Sequence, residues 1–249
     1  MGGVYKGQPG FLSQPWPEKV AYGCAFLNME RKITAIEPQK KNPERVNIYL
    51  DGKFTIGVNG ILAAWLKVGQ SLNEAKLNEL MEADGIESAY QKALHFISYR
   101  PRSIAEVRKN LAARDIPEDL IDETIQRLKN NSVLNDLNFA REWVTNRKDL
   151  QPRSRLALRM ELRQKGIADE VIQQVLDEIV DDDALALLAA KKYSYRLEGL
   201  DLSEFRKKLY AYLSRKGFNF SSINPVLTSV WSDLHPTDNH GSINFREGY

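Results

Sequence analysis

Residues 101–128, PRSIAEVRKNLAARDIPEDLIDETIQRL, return 51 positions later as residues 152–179 and again, more divergently, as residues 203–230. The apolar columns agree through all three copies. Val107 aligns with Leu158 and Leu209, Leu111 with Leu162 and Leu213, and Ile116 with Ile167 and Phe218. Ile121, Ile172 and Ile223 share a column, as do Ile125, Leu176 and Leu227, and Leu128, Ile179 and Val230. A gapless period of this size marks one supersecondary unit used three times, and function in such arrays lies on surfaces the units share. The predicted fold class is mainly α: three tandem three-helix repeats in an elongated helical array.

In the first repeat the spacing predicts helices over residues 88–99, 103–114 and 117–130. Ser103 and Glu106 form a capping box, each side chain answering a free backbone N–H at the helix start. Pro101 closes the helix before it, and Pro117 suits the first turn of the third helix. Asp115, Gly166 and Gly217 share the column just past the second helix, where a left-handed backbone is wanted. The second and third repeats are expected to begin with helices around residues 139–149, with Trp143 and Val144 inward, and 184–193; there the 51-residue register is poorest. Single units bury too little apolar surface to stand alone, so neighbours should pack together. The linkers at 130–136 and 181–183 are short and polar, and are expected to let the units bend.

Ahead of the repeats lies a small α+β module. ITAIEP reads as a strand closed by Pro38 and KKNPE as a loop; RVNIYL and KFTIG form a β-hairpin. Asp51-Gly52 suits the type I′ turn that matches strand twist, setting Tyr49 opposite Phe54 and Leu50 opposite Lys53. Ile61, Leu62, Trp65 and Leu66 predict a short helix ending near Gly69, and LNEAKLNELMEAD a second with Leu77, Leu80 and Met81 buried. The expected organisation is a disordered lead (1–30), a three-stranded module with helices (31–84), repeats at 85–131, 132–181 and 182–232, and a flexible tail (233–249). The pattern begins just after Met29, which suggests that translation starts there.

A net charge of +2 is too small to argue for a nucleic-acid partner, so a polyanion site must come from local clustering. One cysteine, Cys24, excludes an internal disulfide framework and fits a reducing compartment. The chain shows neither a membrane-spanning apolar run nor a signal-peptide pattern, so a cytoplasmic location is expected.

The parts of an enzyme are missing from the sequence. It contains no GxxxxGK[ST] phosphate loop and no GxGxxG. His95 stands in a helix without an accompanying acid or nucleophile pattern. His235, Asp238 and His240 fall in the tail, where metal binding would lack ordered ligands, and Asp181–Asp183 suit a helix start. No cofactor and no metal are expected. The basic residues say more. Arg155, Arg159 and Arg163 recur at intervals of four, forming one stripe beside the inward Leu158 and Leu162, with Arg153 and Lys165 extending the charge. The same columns hold Ile104, Arg108 and Ala112 in the first repeat and Arg206, Tyr210 and Ser214 in the third, so the full stripe belongs to the middle repeat alone. Glu161 is the only acid in that helix, whereas a merely soluble face mixes signs. Arginine also suits bidentate binding of carboxylate or phosphate. Trp143, Phe139 and Phe218 are expected in the core, and Tyr99, Tyr210 and Tyr212 in core or edge packing.

YRPRS with Glu106 and Leu111, FAREWV at 139–144, and LQPRSRLALRMELRQKGI at 150–167 resemble the RecX family of regulators of the RecA recombinase. ITAIEPQKKNPERVNIYLDG is similar to the leading segment some members carry. The resemblance covers about residues 33–231 and is loosest in the third repeat, where Ser203-Glu204-Phe205 replaces Pro-Arg-Ser. It implies a non-enzymatic monomer lying in the groove of the RecA–DNA filament and restraining ATP hydrolysis, strand exchange and co-protease activity, with weak, sequence-tolerant DNA binding. Arg153, Arg155, Arg159, Arg163 and Lys165, with Arg100, Arg102 and Arg108, are the contacts this reading expects. The alternative is a stand-alone nucleic-acid-binding protein whose middle helices act as helix-turn-helix readers.

Overall fold

A computed structural model describes residues 30–235 and divides into two compact units, one ending at Asp84 and one beginning at Gly85. The lead, the tail beyond His235, Cys24, Asp238 and His240 lie outside the described residues.

The first unit is built on β1 (Arg31–Gln39), β2 (Asn42–Leu50), β3 (Lys53–Asn59) and β4 (Ser71–Leu72), with the one-turn helix α1 (Gly60–Ala63) between β3 and β4. All neighbours are antiparallel in the order β3-β2-β1-β4. The hairpin has the expected register, Tyr49 facing Phe54 and Leu50 facing Lys53. Asp51 and Gly52 both have positive φ (49° and 77°), as a type I′ turn requires. The sheet differs from expectation at its margins. The loop expected over KKNPE shrinks to the turn at Lys40 and Lys41, because Asn42 already pairs with Gln39. A fourth strand joins where three were expected, as Gly69 and Gln70 bond to Ile33 and bring Ser71 and Leu72 alongside Lys32 and Arg31. Trp65 is exposed, outside the single turn of α1. The core is Ile33, Ile48, Leu50, Val58, Ala63, Leu72 and Leu77.

α2 (Glu74–Ser98) is one 25-residue helix where the sequence predicts two. Asp84-Gly85 reads as a helix stop, but the Asp84 carboxylate accepts from Asn59 N–H (2.7 Å) and pairs with Arg45 (2.7 Å). A residue anchored by its side chain leaves the helical backbone free to continue, at the roughly 1 kcal/mol that an interior glycine costs.

The second unit holds the repeats: the end of α2 with α3 (Ile104–Ala112) and α4 (Glu118–Asn130), then α5 (Asp136–Leu150), α6 (Arg155–Gln164) and α7 (Asp169–Ile179), then α8 (Asp182–Ser194), α9 (Leu202–Arg215) and α10 (Phe220–Leu234). Each triplet encloses its own core, filled by the repeat columns. Val107, Leu158 and Leu209, and Leu111, Leu162 and Leu213, are wholly buried. The capping box at Ser103 is present. Asp115, Gly166 and Gly217 all have positive φ (56°, 75° and 91°). In the first helices, Ala89 and Ala93 match Ala140 and Val144 at the period of 51, all four buried. The third repeat departs: Asp182, Leu185, Ala186 and Ala190 match Asp136, Phe139, Ala140 and Val144 at a spacing of 46. A 3-10 turn at Tyr195–Leu197 and Gly199 (φ 81°) take up the difference before α9.

Candidate functional site

The Pro-Arg-Ser motif is the hardware of the joints between repeats. At the first joint Ser103 Oγ donates to the Lys165 carbonyl at the C-terminal end of α6 (2.6 Å), and Gly166 lies so close that a Cβ there would come within 2.4 Å of Ala105 Cβ. At the second, Ser154 N–H donates to the Lys216 carbonyl (3.1 Å), and a Cβ on Gly217 would meet Ser154 Oγ at 2.5 Å. A carboxylate from the next repeat completes each joint: Asp136 accepts from Ile104 N–H (2.9 Å) and Asp182 from Arg155 N–H (2.6 Å). These bonds tie down the linker residues expected to bend.

Charge differs between the joints. At the first, Glu106 is held by Lys165 Nζ (2.8 Å), Arg100 (3.1 Å) and, more weakly, Ser103 N–H (3.4 Å). Burial works to raise its pKa, but these three partners outweigh burial and hold it down to about 2. A folded-state pKa below the ordinary 4.5 gives stability that is complete above that value and fades as pH falls toward 2. Allowing for solvent screening, the carboxylate contributes roughly 2 kcal/mol. Glu106→Gln, which keeps the capping geometry, should therefore be less stable than the parent by about that amount at neutral pH. The gap should narrow as urea denaturation is repeated from about pH 5 down to about pH 3, and vanish only below about pH 2.

At the second joint Ala157 occupies the column of Glu106, so Lys216 loses the carboxylate that its counterpart Lys165 has. Glu161 must serve the whole neighbourhood. It accepts from Trp143 Nε1 (2.8 Å) and Arg147 Nε (2.9 Å), and lies 2.9 Å from Arg153 Nη1. That last approach is off-angle, leaving buried Arg153 Nε and Glu161 Oε1 without a hydrogen bond. Arg147 also sits over the Trp143 ring (4.7 Å), with Lys165 5.0 Å from the same ring. Lys216 lies over Tyr212, which stacks on Tyr193 at 3.9 Å. Partial burial, then the charges of Arg153 and Arg147, push the Lys216 pKa down against the pull of Glu161. Three cations therefore share one carboxylate among aromatic rings, a composition suited to an incoming anion.

The stripe of Arg155, Arg159 and Arg163 is not the bare cationic face the sequence suggests. Arg155 pairs with Asp177 and Arg163 with Asp169 (2.7 Å), while Arg159 bonds Gln173; all three partners lie on α7 of the same repeat. Arg108 is tied likewise to Glu118 and Asp122 of α4. Arg102 stacks on Phe96 at 3.8 Å. Of the expected contacts, then, Arg153 lies in the second joint and Lys165 and Arg100 in the first. Arg147 and Lys216 were overlooked, while Trp143, expected in the core, is half-buried at its edge with Nε1 donating to Glu161. Their signal was present: Lys165-Gly166 and Lys216-Gly217 share two adjacent columns, and Glu106 changes to Ala157 between the two joints.

The other sequence candidates have structural roles. His95 bonds the Tyr99 hydroxyl (3.1 Å), and Tyr99 is exposed instead of packed. His235 stacks on Trp231. Asp181 caps α8, with Asp182 and Asp183 in its first turn. Among the described residues no cluster is placed to hold a metal, and no helix is long and apolar enough to cross a membrane.

These features define a class: jointed three-helix repeats whose distinguishing surface is a cationic, aromatic seam. The comparisons bear on the repeats. Successive segments match family models for the regulatory protein RecX N-terminal domain (residues 31–73) and for the first, second and third RecX three-helix domains (89–128, 135–176 and 181–227). Regulatory protein RecX of Bacillus pumilus is 34% identical over 80% of this chain and 77% of its own length. That of Bacillus velezensis is 36% identical over 78% and 76%. A crystal structure of regulatory protein RecX superposes with a TM-score of 0.63 at 28% identity, covering 79% of this chain and 98% of that one. The chain belongs to the RecX family of regulatory proteins.

Proposed function

We propose that this protein is a non-enzymatic regulator of the RecA recombinase, acting as a monomer that binds the RecA–DNA filament in the cytoplasm. In doing so it restrains ATP hydrolysis, strand exchange and co-protease activity. Membership of the RecX family supports the partner. The observation that carries the contact is the second joint, where Arg147, Arg153 and Lys216 share the single carboxylate of Glu161. Filament DNA is a polyanion, and cations already crowding one another gain most from meeting phosphate. Trp143 has cations over its ring, so the seam suits backbone phosphate better than base stacking, giving weak, sequence-tolerant binding.

RecA ATPase on single-stranded DNA, titrated with this protein, tests the reading. The rate should fall as the protein is added. An unchanged rate at equimolar protein rejects it. The stand-alone DNA reader fits less well, because α6 turns Leu156 and Met160 outward and ties its arginines to α7. Tight, sequence-selective DNA binding without RecA would revive that alternative.

A further inference from the structure

Where the second and third helices of a repeat meet at the surface, the third repeat differs from the first two. In those, polar ties close the face: Arg108 to Glu118 and Asp122, Arg155 to Asp177, Arg159 to Gln173 and Arg163 to Asp169. At the period of 51, the columns of the tied arginines hold Arg206, Tyr210 and Ser214 on α9, and those of their partners hold Phe220, Asn224 and Thr228 on α10. None of the three on α10 carries a carboxylate. The one acid of that helix, Asp233, is turned to α8, where Lys191 pairs with it (3.1 Å).

Thr228 stands where Asp177 holds Arg155, so Arg206 lacks that partner. Tyr210 and Phe220 stand in the columns of Arg108 and Glu118, so two aromatic rings take the place of an ion pair. Tyr210, expected in core or edge packing, is 40% exposed, and Phe220 is 65% exposed. Around them α9 sets Arg206, Lys207, Lys208 and Arg215 against Glu204 alone, a balance that attracts an anion. Flat rings divided by an amide and hydroxyls suit planar bases better than they suit the apolar side chain of a protein. A duplex keeps its base faces stacked inside, so only a single strand can use such rings. The Trp143 ring in the seam is already covered by cations and offers no equivalent platform.

We propose that the α9–α10 face is a base-stacking subsite for single-stranded nucleic acid, separate from the cationic seam. Tyr210 and Phe220 take the faces of unpaired bases, Arg206 meets an adjoining phosphate, and Asn224 and Thr228 bond base edges. The subsite rests on the reading of the second joint as a phosphate contact. It adds what phosphate alone does not supply, a contact open to single strands and closed to duplex.

Anisotropy titrations of the full chain against three labelled probes test this: a single-stranded oligonucleotide, a strand of equal length built of abasic sites, and a duplex. Circular dichroism first confirms that each variant is folded. Tyr210→Ala/Phe220→Ala should bind the base-bearing strand at least tenfold more weakly than wild type, and the abasic strand and duplex within about twofold of it. Tyr210→Trp/Phe220→Trp, which keeps both rings, should bind all three as wild type does. Undiminished binding of the base-bearing strand by the alanine variant overturns the subsite. Equal losses on all three probes make the face a phosphate contact and also overturn it. A wild-type dimer that the alanine variant dissociates, seen by light scattering, makes the occupant a second copy and overturns it too. Lys216→Glu separates the subsite from the reading it rests on. If that reversal weakens all three probes while the alanine variant weakens none, the seam stands and only the subsite falls. If wild type binds none of the probes, the seam reading fails and the subsite with it.

Discussion

Gly166→Ala should destabilise the protein by about 3 kcal/mol, combining the left-handed backbone penalty of about 1–2 kcal/mol with an overpacking cost of similar size. Gly199→Ala supplies the control. Its φ of 81° is close to the 75° of Gly166, but nothing lies within 4 Å of its prospective Cβ, whereas at Gly166 that atom would strike Ala105. Gly199→Ala should therefore cost only about 1 kcal/mol. Urea denaturation of both variants beside wild type measures the difference, which is the packing contribution of the first joint. Equal losses would mean that the glycine column answers only to backbone conformation and that the repeats do not depend on close contact there.

Lys216→Glu should weaken binding to single-stranded DNA by at least tenfold, since reversal removes one cation and sets a carboxylate among the remaining two. Its fold should survive. Arg153 and Arg147 already disfavour the charged lysine, so an anion in its place relieves repulsion. Arg155→Ala/Arg163→Ala deletes as much positive charge as the reversal, yet should change DNA affinity by less than about twofold, because each arginine is paired to a carboxylate on α7. Anisotropy titrations of the two variants against one labelled oligonucleotide decide between them. A larger loss in the double variant would return the site to the α6 stripe.

The repeats were legible in the sequence because burial imposes apolar residues at helical spacing and leaves little choice at columns such as Val107, Leu158 and Leu209. The hairpin was legible because Asp51-Gly52 supplies both positive-φ residues its turn needs. What failed was partnership. Asp84-Gly85 looks like a helix end until Arg45 and Asn59, distant in sequence, are seen to hold the carboxylate. The α6 arginines do share a helical face, but periodicity along one helix is silent about the neighbouring helix that face meets. Asp169 and Asp177 belong to α7, and only the fold brings them to Arg163 and Arg155. Lys216 was hidden for the same reason. Its importance depends on Ala157 standing across the joint where the first repeat has Glu106, a difference that matters only once repeats are seen to dock second helix to second helix.

If surplus charge at the second joint is what grips DNA, that surplus can be counted directly. Plotting the logarithm of the association constant for single-stranded DNA against the logarithm of salt concentration should give a slope shallower by about 0.7 for Lys216→Glu than for wild type. Parallel lines for the two proteins would show that Lys216 displaces no counterions, and would contradict the assignment of the seam to DNA phosphate.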